Sequence, residues 1–92
     1  MKIKVIQKNG INDLDKEMLD LFTKRMKLSK EVIEYKMKNN LPILDSEREK
    51  EVINKNLSNL KNKDLEKYYL EFITNLMNIS KEYQSYLKER SE

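Results

Sequence analysis

Between Asn12 and Lys38, apolar residues recur at Leu14, Met18, Leu21, Leu28, Val32 and Tyr35, at steps of three and four. That is the register of a helix seam, and Ile11 extends it backwards. Arg25 breaks the stripe, four residues after Leu21 and three before Leu28. Lys36 follows eleven residues later, about three turns at ~3.6 residues per turn, so it projects from nearly the same face. Two cations on the buried side of one helix are costly unless something anionic meets them. The stripe therefore reads as the wall of an anion-binding pocket.

The same patterning predicts three helices. Asn12 is the expected N-cap of the first, with Asp13 and Asp15 in its first turn, where the macrodipole favours carboxylates. This helix runs to about Lys38, roughly 40 Å at ~1.5 Å per residue, which is longer than a compact domain of this size is wide. Part of it is expected to pack on another chain. Residues 1–8 are rich in β-branched side chains and Asn9-Gly10 punctuates, so this stretch reads either as a flexible or extended arm over residues 1–10 or as a frayed helix start. Asn39-Asn40-Leu41-Pro42 ends the first helix, because Pro42 forbids its continuation and biases Leu41 to extended conformations. Ile43 and Leu44 are expected to tuck inward.

The second helix begins near Asp45 or Ser46, where Ser46 and Glu49 fit a capping box. It buries Val52, Ile53, Leu57 and Leu60 and ends near Lys61. The third starts at Asn62-Lys63-Asp64 and carries a seam of Leu65, Tyr69, Phe72, Leu76, Ile79, Tyr83 and Leu87. Ser80 and Gln84 lie beside that seam on a ridge with Ile73, Met77 and Leu87. The expected fold is all-α, long–short–long, one domain over residues 1–92, with an apolar surface suited to a helical dimer.

Composition narrows the chemistry. The 92 residues include no Cys and no His, which excludes disulfides, thiolate metal sites and the usual general base. Hydrophobic and charged residues each make up 38% and mean hydropathy is −0.86. That is dilute for a small monomer, and burial through association would help it. The net charge of +3 comes from 19 basic and 16 acidic residues, mostly interspersed, which argues against a nucleic-acid stripe. No apolar run reaches membrane-spanning length and residues 1–7 hold no signal-peptide core, so a soluble cytoplasmic protein is expected.

The inward polar positions are Arg25, Lys36, Ser80 and Gln84, joined by Asp45, Arg48 and Glu49 at the Pro42 turn. Each has an ordinary reading by itself. Lys36 complements a helix C-terminus, Glu49 completes a capping box, Asp45 is an N-cap, and Ser80 and Gln84 set helix register. Together they form a cation-dominated set suited to a compact dicarboxylate, since Arg presents a fork that matches a carboxylate.

The order Ile11-x-x-Leu14-Asp15, Arg25, Lys36, Leu41-Pro42-Ile43-x-Asp45-x-x-Arg48-Glu49, then Ser80-x-x-x-Gln84, resembles the all-helical class of chorismate mutase over about residues 8–88. The resemblance implies an intertwined homodimer that rearranges chorismate to prephenate in one pericyclic step, without cofactor or metal. By similarity, Arg25 and Arg48 grip the substrate carboxylates with help from Ser80. Lys36 and Gln84 donate to the ether oxygen, and Glu49 accepts from the ring hydroxyl, helped by Asp45. Where the family usually has an Arg reaching into the partner's site, this chain has Lys8, which keeps the charge and loses the bidentate fork.

Two rivals stand beside this reading. One is an isochorismate-pyruvate lyase on the same fold, against which the Asp45-x-x-Arg48-Glu49 run argues. The other is a non-catalytic helical dimer that binds a metabolite or a partner protein. Docking on another enzyme of the aromatic pathway is also compatible with the sequence.

Overall fold

The computed structural model describes residues 5–43 and 46–91, with the side chains of Ile6 and Ser91 left aside. Three helices follow in order: α1 (Val5–Lys38), α2 (Ser46–Asn59) and α3 (Glu66–Ser91), the last entered through a 3-10 turn at Lys63–Leu65. α3 is the element against which both α1 and α2 pack. Among the described residues no helix is long and apolar enough to cross a membrane.

α1 begins seven residues before the expected N-cap. Asn12, Asp13 and Asp15 lie inside the helix, and no acidic residue occupies its first turn. Gly10 does not punctuate. It has no positive φ and sits in uninterrupted helix, so of the two readings of this stretch the helical one holds from Val5 onward. One permissive residue costs a helix at most about 1 kcal/mol, which a helix of 34 residues can absorb.

The end of α1 lies where Pro42 requires it, and its chemistry is explicit. Leu41 N–H donates to the Lys36 carbonyl at 2.8 Å and Asn40 N–H to that of Met37 at 3.3 Å. Asn40 has φ of 57°, the left-handed conformation that this Schellman pairing needs and that Asn tolerates better than most residues. At the other loop, Asn62 caps the 3-10 turn by accepting from Asp64 N–H at 3.1 Å.

The core is small and lies where α1 crosses α3. Ile33, Ile73 and Met77 are its buried apolar side chains, and Ser80 and Gln84 are buried with them. The ridge Ile73–Met77–Ser80–Gln84 is therefore the inward line of α3, while Leu65, Phe72 and Ile79 of the expected seam are exposed in the single chain. On α1 the displacement is larger. Leu14, Met18, Leu21, Leu28, Val32 and Tyr35 are all exposed, and Ile33, about 100° round the helix from Val32, is fully buried. α2 covers α3 with the half-buried Val52, Ile53 and Leu57.

The chain measures 54 × 26 × 17 Å, with a radius of gyration of 16.7 Å, against about 12 Å for a compact domain of this length. The excess comes from α1. Every described side chain from Val5 to Lys24 is exposed, so about half of this helix is left uncovered by α2 and α3.

Because Gly10 is helical and a Cβ there meets nothing within 4 Å, Gly10→Ala is expected to stabilise the protein by about 0.5–1 kcal/mol. Urea denaturation reads this as a raised midpoint at constant slope. A lowered midpoint means that the helix does not run through residue 10.

Candidate functional site

The crossing of α1 and α3, capped by the first turns of α2, leaves a cavity of about 250 Å³. Arg25 and Lys36 reach it from α1, Arg48 and Glu49 from α2, and Ser80 and Gln84 from α3. Six side chains singled out from the sequence thus line one cavity, although they are spread over three helices. Asp45 lies outside the described residues. Lys8 is elsewhere: it stands seventeen residues before Arg25 on the same straight helix, about 25 Å away at ~1.5 Å per residue, so it does not reach its own chain's cavity.

Each polar group is held from behind. Arg25 Nη1 donates to Ser80 Oγ, and Ser80 Oγ donates to the Leu76 carbonyl at 3.1 Å. The hydroxyl spends its proton on its own helix and offers a lone pair to the guanidinium. Gln84 Nε2 donates to the Ser29 carbonyl of α1 at 3.0 Å. An amide nitrogen carries two N–H groups, so one remains for the cavity. Lys36 Nζ donates to the Ile43 carbonyl at 3.0 Å, tying the Pro42 turn to α1 and leaving two of its three N–H donors.

The α2 residues differ from one another. Arg48 is largely exposed and lies 3.9 Å from Glu51, one turn along its own helix. Glu49 faces inward, where its carboxylate meets Lys81 Nζ of α3 at 3.1 Å. The sequence offered that carboxylate both a place in the site and, as an ordinary alternative, a capping box with Ser46; the structure turns it to the cavity wall and pairs it with Lys81.

Ser29, Ile43, Val52, Met77 and Lys81 complete the lining. Ile43, Val52 and Met77 were expected to face inward, but none of the five was singled out as a site residue. Lys81 is the consequential addition, and its signal was present: it follows Ser80 and precedes Gln84 by three, which sets it on the edge of the inward ridge. The lining carries four cations and one carboxylate, three positive charges in excess. Such a cavity attracts a small dianion, and its forked and pointed donors can orient one. Among the described residues no group of three or more Asp, Glu, His or Cys is arranged to hold a metal ion.

Comparison with known proteins bears on the same residues. A family described as chorismate mutase type II matches residues 7–85. A bifunctional chorismate mutase/prephenate dehydratase of Buchnera aphidicola subsp. Baizongia pistaciae (strain Bp) is 41% identical over 71 residues, 76% of this chain and 19% of that protein. Its namesake from Buchnera aphidicola subsp. Schizaphis graminum (strain Sg) is 46% identical over 57 residues, 62% of this chain and 14% of that protein. The chain thus spans about a fifth or less of the length of these relatives. No solved structure matches at comparable significance. The family match runs from the first turn of α1 to the last turns of α3 and takes in every residue of the cavity, and the chain belongs to the chorismate mutase type II family.

Proposed function

We propose that this chain is a chorismate mutase, an isomerase that converts chorismate to prephenate. The observation that carries the reading is the convergence of Arg25, Lys36, Arg48, Glu49, Ser80 and Gln84 on one cavity in a chain of this family. The reaction is intramolecular. The ether C–O bond of the enolpyruvyl side chain breaks as a new C–C bond forms, and nothing is added or released. The protein's task is then to fold a flexible dianion into the reactive shape and to stabilise the charge that grows on the ether oxygen.

The residues divide this task by their chemistry. Arg25, braced by Ser80, and Arg48 hold the two carboxylates. Lys36 and the spare N–H of Gln84 donate to the ether oxygen. Because charge appears there only as the bond breaks, these donors favour the transition state over the substrate. Glu49 accepts from the ring hydroxyl, and Asp45 takes part beside it.

The working form in this proposal is a homodimer. Its support is the uncovered half of α1 and an apolar groove of about 500 Å³ between α1 and α3, lined by Met18, Leu21, Phe22, Phe72, Leu76 and Ile79. Most helical stability in proteins comes from packing an apolar face, which this half of α1 lacks in the single chain, and a second copy would bury both surfaces. It would also let Lys8 of one copy approach the cavity of the other. The two relatives' names join a chorismate mutase to a prephenate dehydratase, which supports action beside another enzyme of the aromatic pathway. A charged, soluble substrate fits the expected cytoplasmic location.

The test is consumption of chorismate by the purified chain, followed by ultraviolet absorbance with identification of the product. Prephenate is expected. Pyruvate released from isochorismate would move the assignment to the lyase, and no turnover of either substrate would leave a binding module. Lys36→Ala is expected to lower kcat by roughly 100- to 1,000-fold, the usual effect of losing one such donor. Its stability should change by no more than about 1 kcal/mol, the worth of the bond to Ile43. An unfolded variant would instead make Lys36 structural. Sedimentation equilibrium should give twice the chain mass of 11.1 kDa; a fully active monomer would remove the dimer from the proposal.

A further inference from the structure

Lys81 brings a charge into the cavity that the proposed reaction does not use. Its ammonium is 3.1 Å from one oxygen of Glu49 and 3.4 Å from the other. It therefore sits across both carboxylate oxygens, bridging α2 to α3. Both side chains are about 30% exposed, at 30% and 28%, and both line the cavity. Lys81 is also one residue past Ser80 and three before Gln84, on the best-anchored stretch of α3.

Consider Glu49 without this partner. A carboxylate in a site that receives a dianion is repelled by its own ligand. Its long side chain, on the first turn of a helix that buries no residue fully, has several rotamers open to it. It is also drawn to the nearest cations, and Arg25, Lys36 and Arg48 are the groups needed for the ligand's carboxylates. Pairing with Lys81 addresses all three problems: it offsets the repulsion, fixes the rotamer from the far side, and gives Glu49 a partner other than those cations.

We infer that Lys81 is a positioning residue: it holds the Glu49 carboxylate at the cavity wall as the acceptor for the ligand's hydroxyl. This inference rests on the reaction proposed above. A carboxylate held by an ammonium still has lone pairs to accept with, since two oxygens provide about four acceptor sites. The hydroxyl contact exists in bound substrate and transition state alike, so loosening Glu49 weakens both equally. The effect therefore appears in KM more than in kcat.

A double-mutant cycle with a spectroscopic arm tests this. Lys81→Met is expected to reduce kcat/KM for chorismate roughly tenfold, mostly through KM. Lys81→Arg should restore most of the loss. In a Glu49→Gln background, Lys81→Met should change kcat/KM less than twofold, because the group it positions is already gone. Separately from turnover, the ¹⁵Nζ resonance of Lys81 should shift in Glu49→Gln. An equal loss in both backgrounds would overturn the inference, because Lys81 would then act on substrate or fold directly. An unshifted ¹⁵Nζ resonance would also overturn it. Absence of turnover in the unmutated chain would overturn the proposed reaction, and with it the role of Lys81, while the resonance would still report whether the ion pair exists.

Discussion

Gln84 and Ser80 are buried alongside three apolar side chains, the whole of the buried apolar core among the described residues. Burying an amide or hydroxyl costs several times the net worth of one good hydrogen bond unless a partner is supplied. Here the partners lie on the facing helix: the Ser29 carbonyl takes the Gln84 amide, and the Arg25 guanidinium meets the Ser80 hydroxyl. An apolar interface of this size would tolerate a slide of one helix along the other. A polar one does not, because a slipped register strands the buried Gln84 amide and parts Arg25 from Ser80. These bonds therefore set where α1 stands against α3, and with it where Arg25 and Lys36 enter the cavity.

From that crossing the rest of the site follows by short covalent and hydrogen-bonded links. α1 ends in a Schellman cap at Asn40, Pro42 turns the chain, and Lys36 reaches forward to hold the Ile43 carbonyl. α2 begins immediately afterwards and carries Arg48 and Glu49 to the cavity. Lys36 thus spends one N–H on fastening the loop that delivers the α2 residues. Arg25, Lys36 and Gln84 are held in place before any ligand arrives, which is what electrostatic stabilisation of a developing charge requires, since little reorganisation remains to be done when the bond breaks.

Much of this was legible in the sequence. Steps of three and four gave three helices, Pro42 gave the break, and polar residues interrupting apolar ridges marked positions that the fold brings to one cavity. What was misread has physical reasons. Apolar periodicity reports that a stripe wants burial but not what buries it. The Leu14–Tyr35 stripe was read as the inner face of α1, whereas α3 packs on the neighbouring line through Ile33. Gly10 was read as punctuation because its intrinsic cost was weighed without its neighbours, and a long helix absorbs a penalty of that size. Lys81 was passed over because a lysine among alternating charges looks like solvated surface; only the crossing of α2 over α3 sets Glu49 against it.

The surfaces left open matter to the site as well as to the fold. Arg25 lines both the polar cavity and the apolar groove on the far side of the α1–α3 crossing. Any apolar segment that fills the groove lowers the effective dielectric on one side of Arg25, so the attraction of Arg25 for a carboxylate in the cavity increases. The burial needed to complete a thin core and the field needed to hold a dianion are therefore coupled through one residue. This gives a physical reason for the stripe that opens the sequence to carry a cation in its middle: at Arg25, the covering of the fold and the strength of the site meet.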